Sequence, residues 1–384
     1  MRTRSLCVLL VAGARPNFVK VAPILRAMQL WNATDTGTLR FRPVLVHTGQ
    51  HYDPAMSRLI CDDVGLREPD YLLGVGSGSH AEQTAAVMVK FEKVLRAVQP
   101  HLVVVVGDVN STLAAALVCA KEHVPVAHVE AGLRSGDWTM PEEVNRVLTD
   151  HICDLLFTTC PDGDMNLIAE GIDREKLRFV GNTMIDSLET RLDEARRSLV
   201  LDDLSLTPRE YCVVTLHRPS NVDDAAELHR LVAFLDWVSE SLPVVYPVHP
   251  RARPVMESLA ADRGDRPRVR LIDPVGYVDF LRLMCMARLV LTDSGGVQEE
   301  TSVLGVPCVT LRTSTERPVT IAEGTNHLVS PDDLDLARRV VREILDEETD
   351  YSPRRPALWD GHAGLRVVEA IAEWASSVGL RRPR

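Results

Sequence analysis

Residues 290–301 read VLTDSGGVQEET, and the reading of this stretch decides the fold class. An apolar strand-like run ends at Asp293, a Ser-Gly-Gly turn follows, and a helix-like run then opens with acidic residues. Paired glycines after a strand let the backbone approach a ligand closely. A helix that starts there points free N–H groups and the positive end of its dipole outward, an arrangement that binds phosphate. Glu299 and Glu300, one turn in, face a phosphate poorly but can accept hydrogen bonds from ribose hydroxyls. A tight strand-to-helix turn with an acidic first helical turn explains the stretch equally, so the rest of the chain must decide.

Working outward, the same strand-then-helix unit recurs. Apolar runs occupy 6–13, 43–48, 102–107, 125–130 and 154–159 in the first half, and 211–216, 243–248, 268–272, 288–292 and 306–311 in the second. Between them VKVAPILRAM, NSTLAAALVCAK, AELHRLVAFLDWVSESL and FLRLMCMARL carry helical periodicity. Continuous apolar strands alternating with helices mean parallel sheets covered on both faces. The expected fold is α/β: two doubly wound domains facing a central cleft. The joint is placed near RFVGNTMIDSL, giving domains at 1–181 and 182–363, with a final helix within 364–384 packing back on the first.

A chain of 384 residues with 45% hydrophobic and 25% charged content can build two ordinary cores. The net charge of −11 and a pI of about 5.6 argue against a general nucleic-acid binder while leaving room for one local basic pocket. Eight cysteines are scattered without a C-x-x-C pair, so neither a zinc nor a redox motif is expected, and their apolar neighbours mark most as reduced core residues. The N-terminal MRTRSLCVLLVAGARPNFVK imitates a signal peptide. Its apolar run is short, however, and leads straight into a polar turn and a helical pattern, as a first buried strand would. No apolar run reaches the roughly 20 residues of a membrane span, so a cytoplasmic protein without a membrane partner is expected.

Ligands of open α/β sheets sit at the carboxyl ends of the strands, which makes the residues there the candidates. GARPNFVKVAP follows the first strand. It is no G-x-G-x-x-G, so bound NAD is not supported and no cofactor is expected. A basic group at a helix start opposes the dipole, which favours a ligand role for Arg15 and Lys20 over a merely solvated helix start. Asp108 follows the third strand, where an N-cap is the rival explanation. Glu130 ends the fourth, where a buried carboxylate needs partners. In TMPEEVNR, Pro141 fits a first helical turn, and Glu142 is an i,i+4 neighbour of Arg146, so a surface ion pair is its structural explanation. Together Asp108, Glu130 and Glu142 gather at one sheet edge, and clustered carboxylates suit proton transfer at neutral pH. In the second half His217, Arg218, Ser294, Gly295, Gly296 and Arg317 share one edge, as a diphosphate clamp would.

The stretches GARPNFVK, TGQHYD, GDVNSTLAAAL, HVEAGLR, PEEVNR, GNTMIDSL, TLHR, TDSGGVQEE and TSTERPV follow one another along nearly the whole chain. In them the chain closely resembles the non-hydrolysing UDP-N-acetylglucosamine 2-epimerases. The resemblance implies two Rossmann-like domains of the GT-B kind, a homodimer, and interconversion of UDP-GlcNAc and UDP-ManNAc. It implies catalytic roles for Asp108, Glu130, Glu142 and His217. Contacts to UDP would come from Arg15, Ser294, Gly295, Gly296, Glu300, Arg317 and the segment around Phe280, with Lys20 and Arg146 as further substrate contacts. Gln50 and His51 match residues that hold a second, activating UDP-GlcNAc in several bacterial members. Where those members carry an R-Q pair this chain has GVGSGSH, so activation in the usual form is not expected. The family's G-T-R-P-E opening is altered at Ala14 and Asn17, and its H-R-R-E-N becomes His217-Arg218-Pro219-Ser220-Asn221. The rival readings are a hydrolysing 2-epimerase releasing ManNAc and UDP, a glycosyltransferase of the same architecture, and a non-catalytic UDP-sugar sensor. A transferase would not need three carboxylates, and a sensor would need none.

Overall fold

The computed structural model describes residues 4–34, 39–49, 65–218, 221, 224–248 and 269–378. The chain divides into two compact units, Met1–Ser187 with Ala357–Arg384, and Leu188–Pro356.

The first unit runs β1 (Arg4–Ala12), α1 (Arg15–Ala33), β2 (Leu39–His47), β3 (Tyr71–Leu72), α2 (His80–Val98), β4 (Leu102–Val106), α3 (Asn110–Lys121), β5 (Val126–Ala131), α4 (Pro141–Ile152), β6 (Leu155–Thr158), α5 (Pro161–Ala169), β7 (Leu177–Phe179) and the start of α6 (Thr183–Arg197). Its sheet is parallel, in the order β3-β2-β1-β4-β5-β6-β7. The alternation of β1 shows why both faces are covered. Leu6, Val8 and Leu10 pack with Phe18 and Ile24 of α1, whereas Cys7, Leu9 and Val11 pack with Phe91 of α2 and Ala115 of α3. Local signals start the helices. Ser79 and Glu82 form a reciprocal capping box at α2, and Pro141 and Pro161 open α4 and α5.

The second unit contains α7 (Val200–Asp203), β8 (Cys212–Thr215), α8 (Ala225–Ser239), β9 (Val244–Pro247), β10 (Val269–Ile272), α9 (Tyr277–Cys285), β11 (Leu289–Thr292), α10 (Gly295–Leu304), β12 (Cys308–Leu311), α11 (Val319–Ala322), β13 (Asn326–Val329) and α12 (Leu334–Asp346). Its parallel sheet is ordered β10-β9-β8-β11-β12-β13. Both units are therefore α/β with doubly wound parallel sheets. The strand order reverses between β1 and β4 in one and between β8 and β11 in the other, and these switch points open a crevice at the strand ends.

The closing helix α13 (Ala363–Val378) belongs to the first unit and packs on α1, where Gly364 lies against Pro23. Two anchors fix it. Buried Trp359 donates its indole N–H to the Thr159 carbonyl at 2.8 Å. Asp186 accepts from the Ala363 and Gly364 amides, and burial pushes its carboxyl up to about 6. All the cysteines except Cys61, which lies outside the described residues, are free, and all of these but Cys285 are buried. Among the described residues no helix is long and apolar enough to cross a membrane.

Candidate active site

In the first unit the β1/β4 switch point is built by four neighbouring backbone devices. Asn17, in the first turn of α1, accepts from the Gly13 and Ala14 amides at 3.0 and 2.9 Å and donates to the Val106 carbonyl at 3.1 Å, tying the ends of β1 and β4 together. Gly107 then turns the chain with φ +67. A Cβ there would lie 3.1 Å from Nζ of Lys20 and 3.3 Å from Nδ2 of Asn17, so only glycine lets Lys20 lie over the end of β4. The Lys20 Nζ reaches Glu130 Oε2 at 2.5 Å, and both side chains are almost completely buried. Glu130 is a non-glycine residue at φ +73, beside a bulge where the β5–β6 register shifts between Val129 and Ala131. That backbone state costs about 1–2 kcal/mol and persists only where surrounding structure imposes it. The bulge re-aims the carboxylate toward Lys20.

Asp108 does not cap α3, whose N-cap position is Val109. It pairs instead with Arg146 of α4, which also pairs with Glu143. Glu143 accepts from the Ser135 and Gly136 amides as well, at 2.8–3.0 Å. Burial would raise the Glu143 carboxyl, but these amides and the Arg146 guanidinium outweigh it and hold the group below the usual carboxylate range. The i,i+4 pair of Glu142 with Arg146 thus does not form. Arg146 is occupied elsewhere, and Glu142, half-buried, has no hydrogen-bonding or ionic partner among the described residues. It lies one turn before Arg146 on the same helix face. Arg15 is exposed at the first position of α1. Gln50 and His51 lie outside the described residues.

In the second unit the β8/β11 switch point is organised by Asp293, which is fully buried. It accepts from the His217 amide at 3.0 Å, the Arg218 amide at 2.9 Å, Asn221 Nδ2 at 3.0 Å and His217 Nδ1 at 3.0 Å. Burial alone would raise its carboxyl, but the His217 ring and the other donors prevail and hold it low. The His217 ring is left about half-exposed. Arg218 donates through Nε to the Asp293 carbonyl at 2.9 Å.

Ser294 is the N-cap position of α10, Gly295 and Gly296 its first turn. A Cβ on Gly295 would stand 2.5 Å from Nη1 and 2.9 Å from Cζ of Arg317. The guanidinium of Arg317 therefore fills the space a side chain would take beside the helix start. Glu299, at 2.8 Å from Nε, and Glu316, at 3.2 Å from Nη1, hold it there. A fixed cation and the free amides of a helix N-terminus converge on one spot, which is the chemistry of a phosphate site. Glu300, one turn deeper, accepts from the Tyr277 hydroxyl at 2.7 Å, and burial pushes its carboxyl up to about 7. Phe280 sits half-buried in α9 one turn after Tyr277.

Sequence reasoning passed over His128, Asp150, Asp293, Tyr277 and Asn17. A signal existed for two of them: His128 stands in mid-strand in PVAHVEA, and Asp150 is a carboxylate near the end of an amphipathic helix. Buried polar groups at such places need partners.

A sequence-family model described as UDP-N-acetylglucosamine 2-epimerase matches residues 36–372. The UDP-N-acetylglucosamine 2-epimerase of Methanocaldococcus jannaschii is 38% identical over 375 residues, spanning 94% of this chain and 98% of that one. Its crystal structure in complex with UDP-GlcNAc and UDP superposes with a TM-score of 0.85 over 96% of this chain and 99% of that chain. A UDP-2,3-diacetamido-2,3-dideoxy-D-glucuronate 2-epimerase of Pseudomonas aeruginosa is 41% identical over 377 residues, with 97% and 99% of the two chains covered. A sucrose-phosphate synthase of Thermosynechococcus elongatus shares the fold, at 14% identity and a TM-score of 0.60.

Proposed function

The chain belongs to the UDP-N-acetylglucosamine 2-epimerase family, and from that membership we propose that it interconverts UDP-GlcNAc and UDP-ManNAc without net hydrolysis. C2 of the sugar has no adjacent carbonyl to acidify its proton, and a keto intermediate would need a hydride acceptor. Elimination avoids both needs. A base takes the C2 proton, the C–H electron pair becomes the C1=C2 double bond, and the C1–O bond breaks with its pair leaving on the diphosphate. The products, a 2-acetamidoglycal and UDP, recombine when C2 is protonated on the opposite face and the phosphate oxygen returns to C1.

This route asks for acid/base groups on both faces of the ring and for stabilisation of the departing diphosphate. The first unit offers Asp108, Glu130 and Glu142 for proton transfer. The second offers Arg317, the α10 amides and His217 for the diphosphate, and Glu300 for the ribose. The observation that carries the reading is the Arg317 guanidinium fixed over Gly295 by Glu299 and Glu316. A cation held in place before a ligand arrives needs no reorganisation when charge develops on the leaving group. The homodimer implied by the family and the cytoplasmic location expected from the sequence belong to the same reading.

The test is incubation with UDP-GlcNAc in D2O, followed by proton NMR. UDP-ManNAc carrying deuterium at C2, with total UDP-sugar conserved, supports the proposal. Free ManNAc with stoichiometric UDP would replace it by the hydrolysing reaction. The 41% identity to a UDP-diacetamido-glucuronate 2-epimerase favours one second reading, the same chemistry on a more heavily substituted N-acetylated UDP-sugar. Direct competition of the two sugars in the exchange assay separates them.

A further inference from the structure

His128 and Asp150 are both completely buried and lie beside the carboxylates without being among them. The His128 ring meets an acceptor at each nitrogen. Nε2 is 2.8 Å from the Gly107 carbonyl oxygen, which can only accept, so this nitrogen carries a proton. Nδ1 is 2.6 Å from Asp150 Oδ1. The other oxygen of Asp150 accepts from the Gly132 amide at 3.1 Å and lies 2.8 Å from Arg134 Nη1. Asp150 thus has donors at its second oxygen, and the His128 ring bridges its first oxygen to the Gly107 carbonyl. Burial opposes the charge on Asp150, but His128 and Arg134 together hold its carboxyl below the usual range.

The partners of this pair give its meaning. Gly107 precedes Asp108, and Gly132 lies two residues after Glu130. Beyond the bond from the Gly107 amide to the Val129 carbonyl, the β4–β5 ladder stops. From there the His128 side chain takes up the Gly107 carbonyl, and Asp150 takes up the Gly132 amide. Both peptide groups lie past the regular pairing: the β4–β5 register ends at Val106 and Val129, and the β5–β6 register shifts between Val129 and Ala131. A glutamate held at positive φ needs constraint on both sides, and Lys20 constrains only its side chain.

We propose that the His128–Asp150 pair is the positioning unit that fixes the backbone on either side of the two carboxylates, so that Asp108 and Glu130 are held at a set separation. The inference rests on the reading of Asp108 and Glu130 as proton-transfer groups. Misplacing such a group by about 1 Å can cost about 100-fold in rate.

Two isosteric variants test it. The amide of Asn in His128→Asn can replace Nδ1 toward Asp150 but does not reach Gly107. The amide of Gln in His128→Gln can replace Nε2–H toward Gly107. His128→Asn is expected to lose about 100-fold in kcat with KM changed less than about threefold, since the proposed diphosphate and ribose groups belong to the other unit. His128→Gln is expected to recover at least about tenfold of that loss. Equal activity of the two variants, or parallel loss of kcat, KM and thermal stability in both, overturns the positioning role and leaves a purely structural one. A second readout is independent of turnover. Amide hydrogen exchange over 105–110 and 128–134 should accelerate in His128→Asn while that of 289–300 stays as it is. Unchanged exchange at the first two segments overturns the inference. A wild-type protein that fails to exchange C2 deuterium refutes the proposed function, and the exchange experiment still decides the pair.

Discussion

On the proposed assignment of Glu300 to the ribose, its buried carboxyl makes nucleotide binding depend on pH. Its group stands at about 7 rather than 4.5, because burial in the second unit outweighs the hydrogen bond from Tyr277. Ribose hydroxyls donate hydrogen bonds, so they select the ionised form. UDP-GlcNAc is the right probe, because its diphosphate diester has no group titrating between about pH 6 and 8. Glu300 is roughly nine-tenths ionised at pH 8 and one-tenth at pH 6, and apparent affinity follows that fraction. Affinity should therefore fall about tenfold from pH 8 to pH 6, or about 1.4 kcal/mol. Isothermal titration in buffers of different ionisation enthalpy should also show a proton released on binding near pH 6. Glu300→Gln should bind more weakly at pH 8 and lose the pH slope. The stability sign is opposite. A carboxyl raised on folding stabilises the fold fully below its unfolded value, near 4.5, and that contribution is lost as pH rises through about 7. Ionising Glu300 in the unliganded protein thus costs on the order of 3 kcal/mol. The unliganded Glu300→Gln protein should resist urea better than wild type at pH 8 and no better at pH 4.5. Flat affinity across pH 6–8 in the wild type, or the same slope in Glu300→Gln, would refute the assignment of Glu300 to the ribose.

Gly295→Ala puts a methyl where the Arg317 guanidinium sits, 2.5 Å from Nη1; UDP-GlcNAc affinity should fall about 10- to 100-fold by titration, with thermal stability lowered by less than about 1 kcal/mol. Glu142→Gln removes a half-exposed carboxylate without a partner among the described residues, so kcat should drop by about 10²–10⁴ while the melting temperature and UDP affinity hold. Trp359→Ala deletes a fully buried indole and its bond to Thr159, and urea unfolding of the first unit should lose about 3–5 kcal/mol.

The fold was legible because buried parallel strands write themselves as unbroken apolar runs, and every run expected as a strand is one. The strands that escaped are β3, β7 and β13, two to four residues each and at sheet edges. Segments of two to four residues, such as Tyr71-Leu72, are too short to stand out as apolar runs. The candidate residues were legible for a related reason. A charged group that ends an apolar strand is conspicuous even where a cap is the rival explanation, and Asp108, Glu130 and His217 all stand at such ends. What holds them was less visible. Asp293 was seen as the end of a strand, but nothing in TDSGG says that its carboxylate takes both the His217 and Arg218 amides 75 residues or more away in sequence. Such partnerships exist only once the strand order has brought β8 beside β11.

The sequence PEE, residues 141–143, shows where residue type stops informing. Two glutamates stand side by side in one helical turn, about 100° apart around the axis. Glu143 points into the turn formed by Ser135 and Gly136, takes their amides, and pairs with Arg146. Arg146 then reaches Asp108 with its other nitrogen. That choice at i,i+3 rather than i,i+4 divides the labour. Had Arg146 turned to Glu142, the loop amides would have kept Glu143, Asp108 would have lost its guanidinium, and no carboxylate on this helix would stand open to a substrate. On the proposed reading Glu142 stands available for proton transfer because Glu143 has already taken Arg146, and that distinction is set by a loop packing against the helix start, not by the residues themselves.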